Sequence, residues 1–197
     1  MAHPKTCFVT IGATASFTSL IQAALSAPFL SALQNHGYTD LLLQYGEDGK
    51  GFFDGCMQQA QATVSSSGLK VSGFALDKAG LGKYMRQAKG LGAKGAQEGV
   101  VISHAGSGTI LDALRTAVPL IVVPNAELLD NHQVELAEAL AAQEYVVHAS
   151  LADLPRALQD AEQLRLRQKE WPPVNSGVHR QAKGLKGVLD EEMGFLD

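Results

Sequence analysis

"ISHAGSGTILDAL", residues 102–114, reads as a strand that turns straight into a helix. The apolar run Gly99 to Ser103 (GVVIS) breaks at His104. It then crosses a loop of small residues and enters a segment of helical period that carries Asp112 in its first turn. In that loop Ala105, Gly106, Ser107 and Gly108 let backbone N–H groups approach a ligand closely, and a following helix start adds free donors and the positive end of its dipole. Phosphate suits such a place. A plainer reading stays open beside it, in which the glycines only make a tight turn and Thr109 with Asp112 forms a capping box. No Lys-Ser/Thr pair follows the glycines, so the loop is not a P-loop. A dinucleotide fingerprint would need a third glycine at Leu111 and a ribose-binding acid after the next strand, which instead ends in Pro124-Asn125.

On both sides of this unit, apolar runs rich in β-branched residues alternate with helix-length segments. Thr6–Ile11, Asp40–Tyr45, Leu69–Ala75, Pro119–Val123 and Tyr145–His148 join Gly99–Ser103 as predicted strands. Several are apolar almost throughout, as expected when helices cover both faces of a parallel sheet. The fold class is therefore α/β, a Rossmann-like, mostly parallel sheet with helices on both faces. Such sheets gather ligand-binding groups in the loops at the carboxyl ends of their strands.

Length and composition bound the organisation. The chain has 197 residues, 46% of them hydrophobic and 18% charged, enough for one well-buried core and a short appendage. Residues 1–170 are expected to form the domain. Trp171-Pro172-Pro173 then stops any helix, leaving a tail over 171–197 whose Leu185, Val188, Leu189, Met193 and Leu196 mark an apolar helical stripe. That stripe suits a partner or the chain's own domain. The formal net charge of -4 gives no attraction for a polyanion, so nucleic acid is not an expected partner. Cys7 and Cys56 lack any CxxC spacing, which argues against a disulfide framework or zinc and fits a reducing, cytosolic setting. Phe8 to Asn35 carries no charged side chain, yet hydroxyls, Gly12 and Pro28 interrupt it well before the roughly 20 apolar residues of a spanning helix. The first residues do not have the pattern of a signal peptide. The glycine-rich stretch Lys89 to Gly99 has no periodicity and is expected to be a mobile surface loop without chemistry.

Three further clusters lie at predicted strand ends. Val9 to Phe17 has a turn at Gly12 with the hydroxyls of Thr10, Thr14 and Ser16, suited to a diphosphate. Gln44-Tyr45-Gly46 ends the second strand, where packing or a turn competes with ligand binding. Asp130, Asn131, His132 and Gln133 set carboxylate, amide and imidazole groups in a row at a helix start, enough to hydrogen-bond sugar hydroxyls, although Asp130 with Gln133 also reads as a helix cap. His132 with His104 or His148 has no metal-ligand spacing, so no metal is expected.

VTIGAT (9–14), LLLQYG (41–46), VVISHAGSGT (100–109) and DNHQVELAEAL (130–140), in this order, resemble the family of cytosolic catalytic subunits of the two-subunit N-acetylglucosaminyltransferase of the endoplasmic reticulum. More distantly they resemble the donor-binding half of the bacterial GlcNAc transferase that completes the lipid-linked peptidoglycan precursor. The resemblance spans about residues 6–150. It implies a GT-B donor half that binds UDP-GlcNAc, needs no metal or other cofactor, and transfers GlcNAc to GlcNAc-diphosphate-dolichol, a lipid-linked acceptor. By the same resemblance Gly106, Ser107, Gly108 and Thr109 meet the diphosphate with Gly12 and Thr14 opposite, and Gln44 joins the donor site. Asp112 takes the ribose hydroxyls, His132 and Gln133 with Asn131 contact the sugar, and Asn125 approaches the GlcNAc. Uracil is expected near residues 74–76. Ala13 departs from the threonine found in many members, and Lys89–Gly99 looks like an insertion.

A GT-B enzyme closes two domains over a cleft, and one set of strands supplies one of them. The acceptor half is therefore expected on a membrane-anchored partner that recruits this chain to the cytosolic face of the endoplasmic reticulum. His104 is the catalytic-base candidate within the chain, although the base is expected on the partner. Two alternatives are a non-catalytic nucleotide-binding or regulatory module and, less well supported, an NAD-dependent oxidoreductase.

Overall fold

The computed structural model describes residues 3–13, 16–125 and 132–169. Six strands, β1 (Lys5–Thr10), β2 (Asp40–Gln44), β3 (Lys70–Phe74), β4 (Gln97–His104), β5 (Leu120–Val123) and β6 (Val147–His148), form one sheet in the order β3-β2-β1-β4-β5-β6. Every neighbouring pair is parallel. The helices are α1 (Thr18–Ala24), α2 (Ala27–Asn35), α3 (Lys50–Ser67), α4 (Gly82–Ala88), α5 (Ser107–Thr116), α6 (His132–Ala142) and α7 (Leu154–Lys169), the last preceded by a 3₁₀ turn over Leu151–Asp153.

Alternation along each strand builds two cores. Cys7, Val9, Leu41, Leu43, Val100, Ile102, Ile121 and Val123 pack with Leu20 and Ile21 of α1, Phe29 and Leu33 of α2, Phe53 of α3 and Leu158 of α7. Phe8, Val101, Leu120 and Val122 point the other way, toward Met85 of α4, Ile110 of α5 and Leu136 and Leu140 of α6. A strand covered on both faces has no polar side, which is why β1 and β5 are buried at every position. Truncating such a residue, Ile102 for example, to alanine costs about 2–5 kcal/mol.

Two expectations change around β4. The strand begins at Gln97, inside the stretch read as a loop. Its Gly99 lies where β1 and β4 shift register, and a Cβ there would sit 1.9 Å from the Thr6 carbonyl oxygen, so the glycine serves close strand approach. Nor is the rest of the stretch untethered. The Lys89 ammonium bonds both the Glu98 carboxylate and the Ala117 carbonyl, and Gln97 N–H donates to the Pro4 carbonyl at 2.7 Å.

At the amino-terminal ends of the strands, a largely buried polar cluster fastens α7 to β1. Lys5 Nζ lies 2.8 Å from Glu162 Oε1 and donates to the His36 carbonyl at 3.0 Å, while Tyr38 O–H donates to the same Glu162 oxygen at 2.7 Å. Arg165 takes the other oxygen of Glu162. Burial alone pushes the Glu162 carboxyl up, but hydrogen bonds from Lys5 and Tyr38 and the charges of Lys5 and Arg165 outweigh it, and the net shift is downward. The tail over 171–197 lies outside the described residues.

The chain order reverses between β1 and β4. In sheets of this kind that reversal opens a crevice beyond the carboxyl ends of the two strands, because the loops leaving them diverge to opposite faces. The loops that leave β1 and β4 therefore form its walls.

Candidate functional site

The first wall follows β1. Thr10 and Gln44 are register partners on adjacent strands, and the Thr10 hydroxyl bonds Gln44 Oε1. Gly12 N–H donates to Thr10 Oγ1 at 3.2 Å, and Gln44 Nε2 donates to the Gly12 carbonyl at 2.9 Å. Thr10 and Gln44 are both buried, so their polar atoms are spent on shaping the loop instead of facing a ligand. Gly12 itself has φ +80, the left-handed region that glycine enters at little cost. Tyr45 packs on Phe53 with ring centroids 5.2 Å apart, and Gly46 turns the chain at φ +78. Thr14 lies outside the described residues.

The second wall is His104 and the start of α5. A Cβ on Gly12 would lie 2.3 Å from His104 Cε1, and one on Gly106 would lie 2.2 Å from His104 Nε2. The imidazole is thus held between the two loops. Its Nδ1 is buried without a hydrogen-bond partner among the described residues, and burial lowers its pKa, so the neutral ring is favoured.

Helix α5 does not form the capping box of the plainer reading, and Asp112 is not in its first turn. Gly106 is the residue that precedes the helix, with φ -80 and ψ 121, and no side chain caps it. Thr109 is already the third helical residue, and Asp112 stands in the second turn, not the first. The first helical bond runs from Ile110 N–H to the Gly106 carbonyl at 3.0 Å. Consequently the amides of Ser107, Gly108 and Thr109 have no acceptor within the helix. Among the described residues a Cβ on Gly108 would meet nothing within 4 Å. Asp112 is exposed one turn further along, its carboxylate 3.5 Å from Arg115.

The third wall follows β5. Asn125 is buried, its N–H donates to Gln133 Oε1 at 3.2 Å, and its Nδ2 donates to the Ser16 carbonyl at 3.4 Å. These bonds join the loop after β5 to the start of α6 and to the loop after β1. Asn131 lies outside the described residues, and His132 is described only as the first residue of α6. Near the expected uracil position, Phe74 stacks on Tyr84 at 4.1 Å. Hydrogen bonds from Lys83, Ala79 N–H and Tyr84 hold Asp77 there at a pKa of about 2.

The crevice thus brings together Gly12, His104, Gly106, Ser107, Gly108 and Thr109, with Asn125 and Gln133 linked to it through Ser16. The Thr10–Gln44–Gly12 brace and the clasp around His104 were missing from the sequence reading. Among the described residues no group of three His, Cys, Asp or Glu side chains could hold a metal ion. What the described residues set side by side is the start of a helix, with three amides that have no acceptor within it, and a ring that burial keeps neutral.

Comparison with known proteins gives the family and supports the fold. Residues 6–184 match the glycosyltransferase family 28 C-terminal domain. The chain is 35% identical over 212 aligned positions to the UDP-N-acetylglucosamine transferase subunit ALG13 of Cryptococcus neoformans, covering 99% of this chain and 100% of that one. The subunit of the same name from Saccharomyces cerevisiae is 33% identical over 158 positions, 72% of this chain and 76% of its own. A solution NMR structure of ALG13 superposes with a TM-score of 0.57 at 29% identity, over 85% of this chain and 87% of that one. The crystal structure of Acinetobacter baumannii MurG gives 0.55 at 16% identity, over 86% of this chain and 43% of the other, a likeness of fold alone.

Proposed function

This chain belongs to the glycosyltransferase family 28 C-terminal domain family, and we propose that it is the donor-binding subunit of a transferase that moves GlcNAc from UDP-GlcNAc to GlcNAc-diphosphate-dolichol. The observation that carries this reading is the meeting of Gly12, His104 and the uncapped start of α5 across the crevice between β1 and β4. The amides of Ser107, Gly108 and Thr109 hold the diphosphate, with the hydroxyls of Ser107 and Thr109 beside them and Gly12 and Thr14 opposite. Asp112 reaches the ribose. Asn125, Asn131, His132 and Gln133 serve the sugar, and Gln44 acts through the loop that it braces.

In the transfer, the acceptor hydroxyl attacks the anomeric carbon while the bond from that carbon to the β-phosphate oxygen breaks, with inversion. The electron pair of that bond leaves with UDP, and the hydroxyl proton passes to a general base. Negative charge grows on the diphosphate, where preoriented amides and the positive end of the α5 dipole stabilise it without rearranging, which is why no metal is invoked. We assign the base to the partner subunit, because the Nε2–Cε1 edge of His104 is packed against Gly12 and Gly106 and its Nδ1 is buried.

The relatives are named as subunits, and this chain is accordingly one subunit of a complex. We assign the acceptor-binding half and the membrane anchor to its partner, which draws the chain to the cytosolic face of the endoplasmic reticulum. No helix among the described residues is long and apolar enough to cross a membrane. Titrating UDP, UDP-GlcNAc, UDP-Glc and NADH against the folded chain tests the reading. Uridine nucleotides are expected to bind and raise the melting temperature, with no effect of NADH. Protection by NADH and none by UDP would overturn it in favour of an oxidoreductase. Unchanged turnover by the reconstituted pair after Asp112→Ala and His132→Ala would point to a non-catalytic module.

A further inference from the structure

We infer that His104 is a positioning residue whose ring sets the width of the diphosphate crevice, holding the loop after β1 and the start of α5 at a fixed separation. The inference rests on the donor-binding reading above and gives one residue of that site a distinct task. The two glycines that touch the ring differ in what they demand. Gly12 has φ +80, so its backbone alone favours glycine. Gly106 does not: φ -80 and ψ 121 are open to any residue. What excludes a side chain at 106 is the imidazole, which a Cβ would approach to 2.2 Å at Nε2, 2.8 Å at Cε1 and 3.0 Å at Cδ2.

The same edge of the ring faces both loops, since a Cβ on Gly12 would come within 2.3 Å of Cε1 and 2.6 Å of Nε2. Gly12 in turn is braced from behind by Gln44, and Gly106 leads directly into the amides of α5. A rigid ring between two backbones transmits its width to both, because close-packed interiors do not absorb a missing or added atom freely. Those backbones carry the groups assigned to the diphosphate, so a change in the ring's volume displaces them.

The test is a double-mutant cycle on the full chain, reading UDP affinity by calorimetry and folding by thermal melts. Gly106→Ala alone is expected to weaken UDP binding by at least about tenfold, since the new Cβ must displace the ring or the loop. In a His104→Ala background the same substitution is expected to cost less than about twofold. Equal losses in both backgrounds would overturn the inference. If Gly106→Ala alone does not fold, recovery of a folded chain in the double variant is the expected rescue, and failure to recover overturns it. In the reconstituted transferase, His104→Ala is expected to raise KM for UDP-GlcNAc by a larger factor than it lowers kcat. A collapse of kcat at constant KM would make His104 the base and sink the positioning role. If the wild-type chain itself bound no UDP, the donor-binding reading would fail instead, and the cycle read by thermal melts alone would still decide whether ring and glycine are coupled.

Discussion

At the amino-terminal ends of the strands, Lys5, Tyr38, Glu162 and Arg165 satisfy one another. At the carboxyl ends between β1 and β4, the three amides that open α5 have no acceptor in the helix. Both regions tie distant parts of the chain together, the first joining α7 to β1 and the second joining the loops after β1 and β4. They differ in what remains unspent. The Lys5 network closes on itself, with Arg165 Nε the atom left over among its described members, and its groups contribute to stability. The α5 start is supported by Thr10, Gln44 and His104, and no side chain among the described residues caps its first amides.

Substitutions should separate the two regions. The largest effect belongs to the closed network. Glu162→Ala leaves the Lys5 ammonium and the Tyr38 hydroxyl without their carboxylate, and is expected to cost about 3–5 kcal/mol of unfolding free energy in urea. UDP affinity of the molecules that remain folded should stay near wild type. A loss of affinity in step with stability would show that the two regions are not independent.

The next effect lies at the open end. Proline at 107 occupies the first helical position, where its missing N–H takes no bond from the helix and the extended Gly106 before it is compatible. Ser107→Pro should therefore leave the melting temperature unchanged or slightly raised. It also removes one amide and one hydroxyl from the crevice, which is expected to weaken UDP binding by roughly 1.5–3 kcal/mol, about tenfold to a hundredfold. Undiminished binding would break the contrast.

Acid should weaken the two regions from different starting points. Burial keeps the folded His104 pKa below its ordinary 6.5, so its contribution is complete above that value and is lost as pH falls through the folded pKa. Glu162 is likewise lowered in the folded state, despite its burial, by its bonds to Lys5 and Tyr38. Its contribution is present above the ordinary 4.5 and is lost as pH falls through the folded value. Stability measured against pH should lose the upper step in His104→Gln and the lower step in Glu162→Gln. An upper step that survives His104→Gln would contradict the assignment.

The smallest change in stability is expected for Asp112→Asn. Its exposed contact with Arg115 at 3.5 Å is worth little, and the melting curve should move by less than about 0.5 kcal/mol. If the carboxylate takes the ribose hydroxyls, UDP affinity still falls severalfold, and uridine-free pyrophosphate binds as before.

Much of the sheet was legible because its strands are apolar on both faces, a pattern that survives without knowledge of neighbours. Pro119–Val123 and Asp40–Tyr45 match β5 and β2 to within a residue for that reason. Gln97-Glu98-Gly99 misled because its glycine looked like loop punctuation, when its role is to let β4 pass close to Thr6. Thr109-x-x-Asp112 has the local pattern of a capping box, but the helix begins at Ser107, which places Asp112 in the second turn. The glycine loop announced itself by composition. The brace from Gln44 to Gly12 did not, because it links residues 32 apart in the chain and depends on β1 and β2 being neighbours in register. At Gly106 the backbone would accept any residue, and the close neighbour that a Cβ would meet is the imidazole two residues earlier, a contact that local sequence does not display.

If the amides that open α5 receive the diphosphate of the donor, titrating UDP into the isotopically labelled chain while following every backbone amide will register it there. The amides of Ser107, Gly108 and Thr109, with Gly12 opposite, should shift first and furthest, at a common affinity. Saturation by UDP that leaves these four unmoved while amides elsewhere shift would contradict it.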